Sequence, residues 1–432
     1  MSVIPKVSLP GLFYGWFVVA AAFAITFIGF GSAYTFSAFV GSLQSEFAAS
    51  RGSVSIVFSL AGFLYFSFGV LSGPLSDRWG VRPFAIIGMI LTGAGLVFAG
   101  MARTLEEVYL AYGLGIGLGV GCAYVPALGA VQRWFIKRRG FASGLAVSGI
   151  GIGTLVMPPL ASLLIELYGW RTAYLLLGGF AAVAGSAMAL LIADDPRDRG
   201  LLPDGNRGTP ELPASSGMTI PSGFAVKDAI LSRRFISLYA ACLISSFGLF
   251  VPFVHLVPYA LDHGITPRHA VLLLAVVGVG STAGRFFLGG FADRIGREPA
   301  RRLMFAGMAI TLVIWMVSSH FWALAIFAFA YGVFYGGYVA LLPALVMDYF
   351  GGKNIGAIIG VLYTSVAIGT LVGPSAAGFA FDLTQSYNLV ITASICGNVI
   401  AGFIMFAVSR MATHSAPGGT AEIARVLAKR KV

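Results

Sequence analysis

The sequence predicts an all-α integral membrane protein of twelve transmembrane helices in two six-helix bundles related by pseudo-twofold symmetry. Three observations carry this: a strongly apolar composition, a regular succession of span-length apolar runs, and an internal repeat at one constant offset. The 432 residues are 58% hydrophobic and 10% charged, with a mean hydropathy of +0.88. That much apolar surface cannot be hidden inside a water-soluble globule, so lipid must serve as solvent.

A membrane helix needs ~20 mostly apolar residues. Such runs fall at 13–40, 53–75, 82–101, 105–131, 140–165, 170–193, 234–260, 268–291, 301–319, 321–349, 354–381 and 386–410, separated by short charged or Gly/Pro segments. The first run lacks the cationic lead and cleavage site of a removable signal peptide, so it reads as the first span. Cys122, Cys242 and Cys396 sit in three different spans without metal or redox spacing, and read as small packing residues.

The isoelectric point near 9.7 does not point to nucleic acid, because the basic residues are sorted by side. With the N-terminus in the cytoplasm, 23 of the 28 Lys and Arg fall on inner segments, four (Arg51, Arg103, Arg171, Arg268) on outer loops, and Arg285 in mid-membrane. Both termini are therefore expected in the cytoplasm, with lipid and not nucleic acid as the macromolecular surroundings.

Residues 194–231 are rich in Pro, Gly, Asp and Ser and split the spans six and six, giving an N-terminal bundle (1–193), a central cytoplasmic linker (194–231), a C-terminal bundle (232–410) and a cytoplasmic tail (411–432). A shift of 216 residues lays Asp77-Arg78 on Asp293-Arg294, Gly80 on Gly296, Gly153 on Gly369, Pro158 on Pro374 and Glu166 on Asp382. Repeated halves around a linker are the mark of a carrier whose bundles rock about a midplane site.

The segment Gly73-Pro-Leu-Ser-Asp77-Arg78-Trp-Gly80-Val-Arg82, with its second copy Gly289-Gly-Phe-Ala-Asp293-Arg294-Ile-Gly296-Arg297, resembles the signature loop of the major facilitator superfamily. The resemblance implies the major facilitator fold. It also implies that Asp77, Arg78, Asp293 and Arg294 form pairs that hold one conformation and release in the other. Closely spaced glycines from Gly113 to Gly121 and from Gly149 to Gly153 read as helix-packing surfaces and not as a phosphate loop, since four-residue spacing in an apolar span puts small residues on one face.

Trp134-Phe135-Ile-Lys137-Arg138-Arg139-Gly140 and the following Gly144-Leu145-Ala146-Val-Ser148 are similar to the fifth-helix signature of the monocarboxylate transporters and their bacterial relatives, including the oxalate–formate antiporter branch. Gly169-Trp170-Arg171 and Gly284-Arg285 extend the match. The resemblance implies a bacterial monocarboxylate transporter homologue in the inner (cell) membrane, with spans 1, 4, 5, 7, 8, 10 and 11 lining the pathway. The chain departs from the family pattern in places: the lysine that animal members carry in the first span is replaced by Phe36 or a neighbour, and their aspartate one turn before the eighth-span arginine is Ser281. Where the oxalate transporter has a second cation, this chain reads Tyr363-Thr364-Ser365-Val366. One intramembrane cation suits a monoanion better than a dianion.

Arg285 is the candidate ligand. At ~1.5 Å per residue it lies about 12 Å from Asp293 at the boundary, near the middle of a ~30 Å core. Burying it costs at least ~2.5–3.5 kcal/mol, and no protein carboxylate is placed to pair with it. A guanidinium fork matches an ionised carboxylate. Gly278, Ser281, Thr282 and Gly289 share its helical face and are expected to leave room for a cavity. His255, between Pro252 and Pro258, reads as a proton carrier for symport and equally as a hydrogen-bonded core histidine. Tyr124 is a candidate hydrogen-bond donor to the substrate. Tyr331, Tyr335 and Tyr338 form one helical face that serves either packing or binding. Phe30, Tyr34, Leu145 and Ser148 are further cavity candidates.

The function expected is secondary active transport of a small monocarboxylate of the L-lactate or pyruvate type, coupled to protons, by alternating access, with organic-anion exchange as the alternative. With four Asn and three Gln, of which only Asn398 lies deep in a span, the chain suits sugars poorly. An enzyme is not expected, nor any cofactor or metal: no HExxH and no paired intramembrane carboxylates occur.

Overall fold

A computed structural model of the chain describes residues 13–136, 138–205, 224–351 and 354–414. Among these, eleven helical stretches are long and apolar enough to cross a membrane. One of them, Gly140–Ala189, is 50 residues long and contains Gly169 at φ 78° and ψ 160°, a conformation no helix accommodates. Divided there, the described residues form twelve candidate crossings. They are α1 (Gly15–Phe47), α2 (Arg51–Trp79), α3 (Val81–Met101), α4 (Leu105–Trp134), α5 (139–168), α6 (170–189), α7 (Arg233–Asp262), α8 (Pro267–Ile295), α9 (Arg297–Val317), α10 (Phe321–Phe350), α11 (Ile355–Thr384) and α12 (Asn388–His414). With an even number of crossings, residues 13 and 414 fall on the same side of the bundle; the opposite side is called distal.

The first helix outruns its expected end at 40, because the polar residues Gln44, Ser45 and Glu46 continue the helix past the apolar run; at Thr35, between its two segments, the backbone stays in the α region. The break at Gly169 is held by Arg171, which donates to the Gly100 and Ala102 carbonyls and to Glu46 at 2.9 Å. In α7 the helix is interrupted at Phe250, two residues before Pro252, which has no N–H to continue the ladder.

The repeat is visible in the backbone. Gly80 (φ 89°, ψ 148°) and Gly296 (φ 90°, ψ 146°), 216 residues apart, make the same turn between paired helices. The halves touch along two seams whose contacts are also 216 apart: Gly62 of α2 against Thr370 of α11, and Gly278 of α8 against Thr154 and Leu155 of α5. Gly80 is crowded as well, since a Cβ there would sit 2.8 Å from Asp194 Oδ2. Gly80→Ala is therefore expected to cost about 1–3 kcal/mol of stability, read as a lowered unfolding temperature, whereas Gly140→Ala, with nothing within 4 Å, should cost far less.

The glycine ladders act as packing surfaces. Because consecutive odd positions differ by about 200° around a helix, Gly113, Gly117 and Gly121 of α4 meet Leu60, Leu64 and Phe68 of α2, while Gly115 and Gly119 meet Gly95 and Thr92 of α3. Gly149 and Gly153 of α5 pack on α1, and Gly151 packs on Thr282 of α8.

After α6 the chain folds back on its own half. The carbonyls of Ile192, Ala193 and Asp194 accept from Arg82, Trp134 and Arg133, and the Asp194 carboxylate accepts the Val81 N–H at 2.9 Å. The Phe224 N–H donates to the Phe350 carbonyl of the other half, and residues 206–223 of the expected linker lie outside the described residues. Most of the expected tail is likewise outside them.

Candidate functional site

A small central cavity, about 30 Å³ in volume, lies between the halves. The first half lends Phe30 and Tyr34 of α1, Phe66 of α2, Tyr124 of α4 and Ile150 of α5; the second lends Leu249 and Phe250 of α7, Tyr335, Tyr338, Val339 and Leu342 of α10, and Tyr363 and Val366 of α11. Tyrosines at 34, 124, 335, 338 and 363 supply the polar edges in a wall that is otherwise apolar. Tyr34 Oη and Tyr335 Oη meet at 3.2 Å, one from each half, and the Phe253 ring packs tilted against both, at centroid distances of 4.7 Å and 5.0 Å.

Arg285 is 7% exposed and sits behind this wall, where its charge reaches the phenols of Tyr34, Tyr124, Tyr335 and Tyr363. Its Nε, Nη1 and Nη2 are all buried and none has a hydrogen-bond partner among the described residues. An unpaired guanidinium in such a place is costly, and an arriving carboxylate would relieve it. α8 is held there by α10: Gly280 and Gly284 lie against Phe329 and Val333, and Gly332 and Gly336 against Val277 and Ser281.

The sequence candidates divide. Phe30, Tyr124 and Tyr335 border the cavity together, and the two tyrosines lie within reach of the Arg285 charge. Ser281 is buried one turn from Arg285, its Oγ without a partner, but its backbone is pressed against α10. Gly278 and Thr282, expected to open space beside Arg285, instead form the seam with α5. Leu145 packs on the core of the first half near the termini, away from the cavity. Tyr331 points from the cavity and donates to the Leu249 carbonyl at 2.7 Å, beside the interruption in α7. Tyr331→Phe should therefore lower stability by about 1 kcal/mol with KM little changed, whereas Tyr335→Phe should alter KM; thermal unfolding and saturation kinetics separate the two.

His255 is buried in the distal half of α7, outside the cavity wall. Its Nε2 lies 2.8 Å from the Pro374 carbonyl and its Nδ1 3.0 Å from Tyr387 Oη. Around it the distal ends of the halves are tied. Arg51 places two nitrogens on Asp262 at 2.6 Å each and donates to Tyr387, while the Asp382 carboxylate accepts the N–H groups of Arg51 and Gly52 at the start of α2. In the sequence Arg51 registers only as an outer-loop cation and Asp382 only as a repeat landmark; the contacts between them join residues more than 300 positions apart, which no local spacing reports.

Of the signature loop, Asp77 pairs with Arg133 of its own half at 3.0 Å, so in this state it does not bridge the bundles. The side chains of Asp293 and Arg294 lie outside the described residues.

Twelve helices in two repeated halves closing on one central cavity define a multi-pass membrane carrier. The chain belongs to the major facilitator superfamily, whose family description matches residues 21–374 and 236–431, and it falls among the relatives of the monocarboxylate transporters. It is 31% identical over 417 residues to monocarboxylate transporter 12-B of Danio rerio, covering 92% of this chain and 87% of that one. It is 32% identical over 387 residues to monocarboxylate transporter 11 of Homo sapiens, covering 87% and 79%. The fold is shared with a solved bacterial homologue of the human lysosomal transporter Spinster, crystallised in an inward-facing, unoccupied conformation, at a TM-score of 0.69 and 16% identity over 93% of this chain and 98% of that one.

Proposed function

We propose that the protein is a proton-coupled symporter of small monocarboxylates of the L-lactate or pyruvate type, working by alternating access. The observation that carries this reading is Arg285, a buried guanidinium with three unpartnered nitrogens beside a tyrosine-edged apolar cavity. A short acid would place its carboxylate on the fork and its carbon chain among Phe30, Ile150 and Val339, with Tyr124 or Tyr335 donating to a remaining oxygen. The carboxylate cancels the buried charge, and the neutral loaded complex can rearrange in the membrane at lower cost than the empty one.

The names of the relatives support a carboxylate cargo. The sorting of basic residues supports an orientation with both termini in the cytoplasm and the distal face outside. Uptake of labelled L-lactate into proteoliposomes, with and without an inward proton gradient, tests the reading. Accumulation that requires the gradient is the expected result; exchange insensitive to a protonophore would favour an organic-anion exchanger.

A further inference from the structure

The distal tie around His255 has a fixed hydrogen-bond direction. A carbonyl only accepts, so the contact with Pro374 requires hydrogen on Nε2, and Nδ1 of the neutral ring then accepts from the Tyr387 hydroxyl. The Tyr387 oxygen in turn accepts from Arg51 Nη1 at 3.1 Å, and Arg51 is clamped on Asp262. Ser55 donates to the Arg51 carbonyl and offers its oxygen 3.4 Å from Nε2. This chain of bonds joins α2 of the first half to α7, α11 and the start of α12 in the second.

A second proton on the ring has no acceptor in this arrangement. Tyr387 would have to turn its hydrogen away from Nδ1, and its oxygen would then be shared by two cations, His255 and Arg51. The groups that face the ring are Arg51 and Ser55 from α2, Asp382 from α11, Tyr387 just before α12, and Tyr259 and Asp262 further along α7 itself. Both carboxylates are already committed, Asp262 to Arg51 and Asp382 to the two N–H groups that open α2. The other seam, between α5 and α8, has no such tie among the described residues: its repeat counterpart of Asp382 is Glu166, which is exposed and in no ion pair.

We propose that His255 is a proton-binding site built into a distal latch, and that a proton on its Nδ1 breaks the Tyr387–Arg51 link and opens the α2–α11 seam to the distal side. The proton thus acts from a place separate from the substrate cavity, and acid on the distal side exposes that cavity to its cargo. The inference rests on the proton-coupled reading above. Its sign follows from linkage: the open form, with the ring hydrated and titrating in the ordinary imidazole range near ~6.5, binds the extra proton, so lowering pH raises the open population. One proton changes the open-to-closed ratio by at most about tenfold per pH unit.

The test uses the full-length carrier with Cys396→Ser and a spin-label pair at Ser45→Cys and Leu383→Cys, exposed positions at the distal ends of the two halves. Distances are measured by double electron–electron resonance in lipid without substrate, between pH 8 and pH 5 (about the imidazole range). A longer distance should gain population several-fold as pH falls. His255→Gln, whose amide reproduces one donor and one acceptor but takes no proton, should stay closed throughout; Asp262→Asn should be open at every pH. A distance distribution independent of pH, or a pH response retained in His255→Gln, overturns the proposal. Gradient-driven lactate uptake with a pH-insensitive latch would sink this inference alone. A pH-responsive latch on a carrier that moves no lactate would sink the transport reading alone.

Discussion

Arg285→Ala is expected to abolish L-lactate uptake, lowering kcat/KM by at least ~100-fold, while leaving the empty carrier as stable as before or more so. The two halves of that expectation have one cause. A charge-assisted bidentate contact in a desolvated site is lost at a cost of about 3 kcal/mol or more when one partner is removed, and each ~1.4 kcal/mol is tenfold. In the empty state, however, the guanidinium has no hydrogen-bond partner to lose. Its removal relieves a burial cost of ~2.5–3.5 kcal/mol. Added lactate should raise the unfolding temperature of the wild type and not of the alanine variant. Arg285→Lys keeps the charge and gives up the planar fork, so its uptake should fall between the two. Normal transport by Arg285→Ala would remove Arg285 from the substrate site. A marked loss of stability in that variant would instead mark the arginine as structural.

Much of this site follows from the order of residues, and the parts that do not share a physical reason. Arg285 stands out in one dimension because a cation in a span is expensive wherever it points, and Phe30, Tyr124 and Tyr335 follow from being aromatic or polar in spans that converge. Facing is harder to read. Tyr331 and Tyr335 are one helical turn apart, yet the first answers a backbone carbonyl beside the interruption in α7 and the second borders the cavity. Gly278 and Thr282 share the helical face of Arg285, and small residues there are equally consistent with an empty cavity and with a neighbouring helix; the structure supplies the helix, α5. His255 reads in the sequence as a proton carrier or a hydrogen-bonded core histidine, and beyond the interruption of α7 at Phe250 it belongs to the distal tie instead of the cavity. Arg51, Asp262, Asp382 and Tyr387 become legible only when both halves are assembled, because each is an ordinary polar residue at the end of a helix.

The placement of Arg285 depends on how closely α8 approaches α10, and that spacing can be tested without touching a polar group. A Cβ on Gly336 would collide with the Ser281 carbonyl oxygen and lie 2.8 Å and 2.9 Å from its carbonyl carbon and Cα. A Cβ on Gly284 meets the backbone of Val333 in the same way. These obstacles are backbone atoms in the middle of two helices, so no side-chain rotation can make room and the helices themselves must part. Gly336→Val is therefore expected to exceed the ~1–3 kcal/mol of ordinary overpacking, lowering the unfolding temperature by several degrees or preventing recovery of folded protein. Gly336→Ala, which demands a smaller separation, should leave a folded carrier whose α8 is displaced, and its KM for lactate should rise while Arg285 remains intact. Gly179→Val supplies the comparison, since that position is exposed on the bundle surface with nothing within 4 Å. Equal stability of Gly336→Val and Gly179→Val would mean that α8 and α10 do not pack at this distance, and the position assigned to the guanidinium would fall with it.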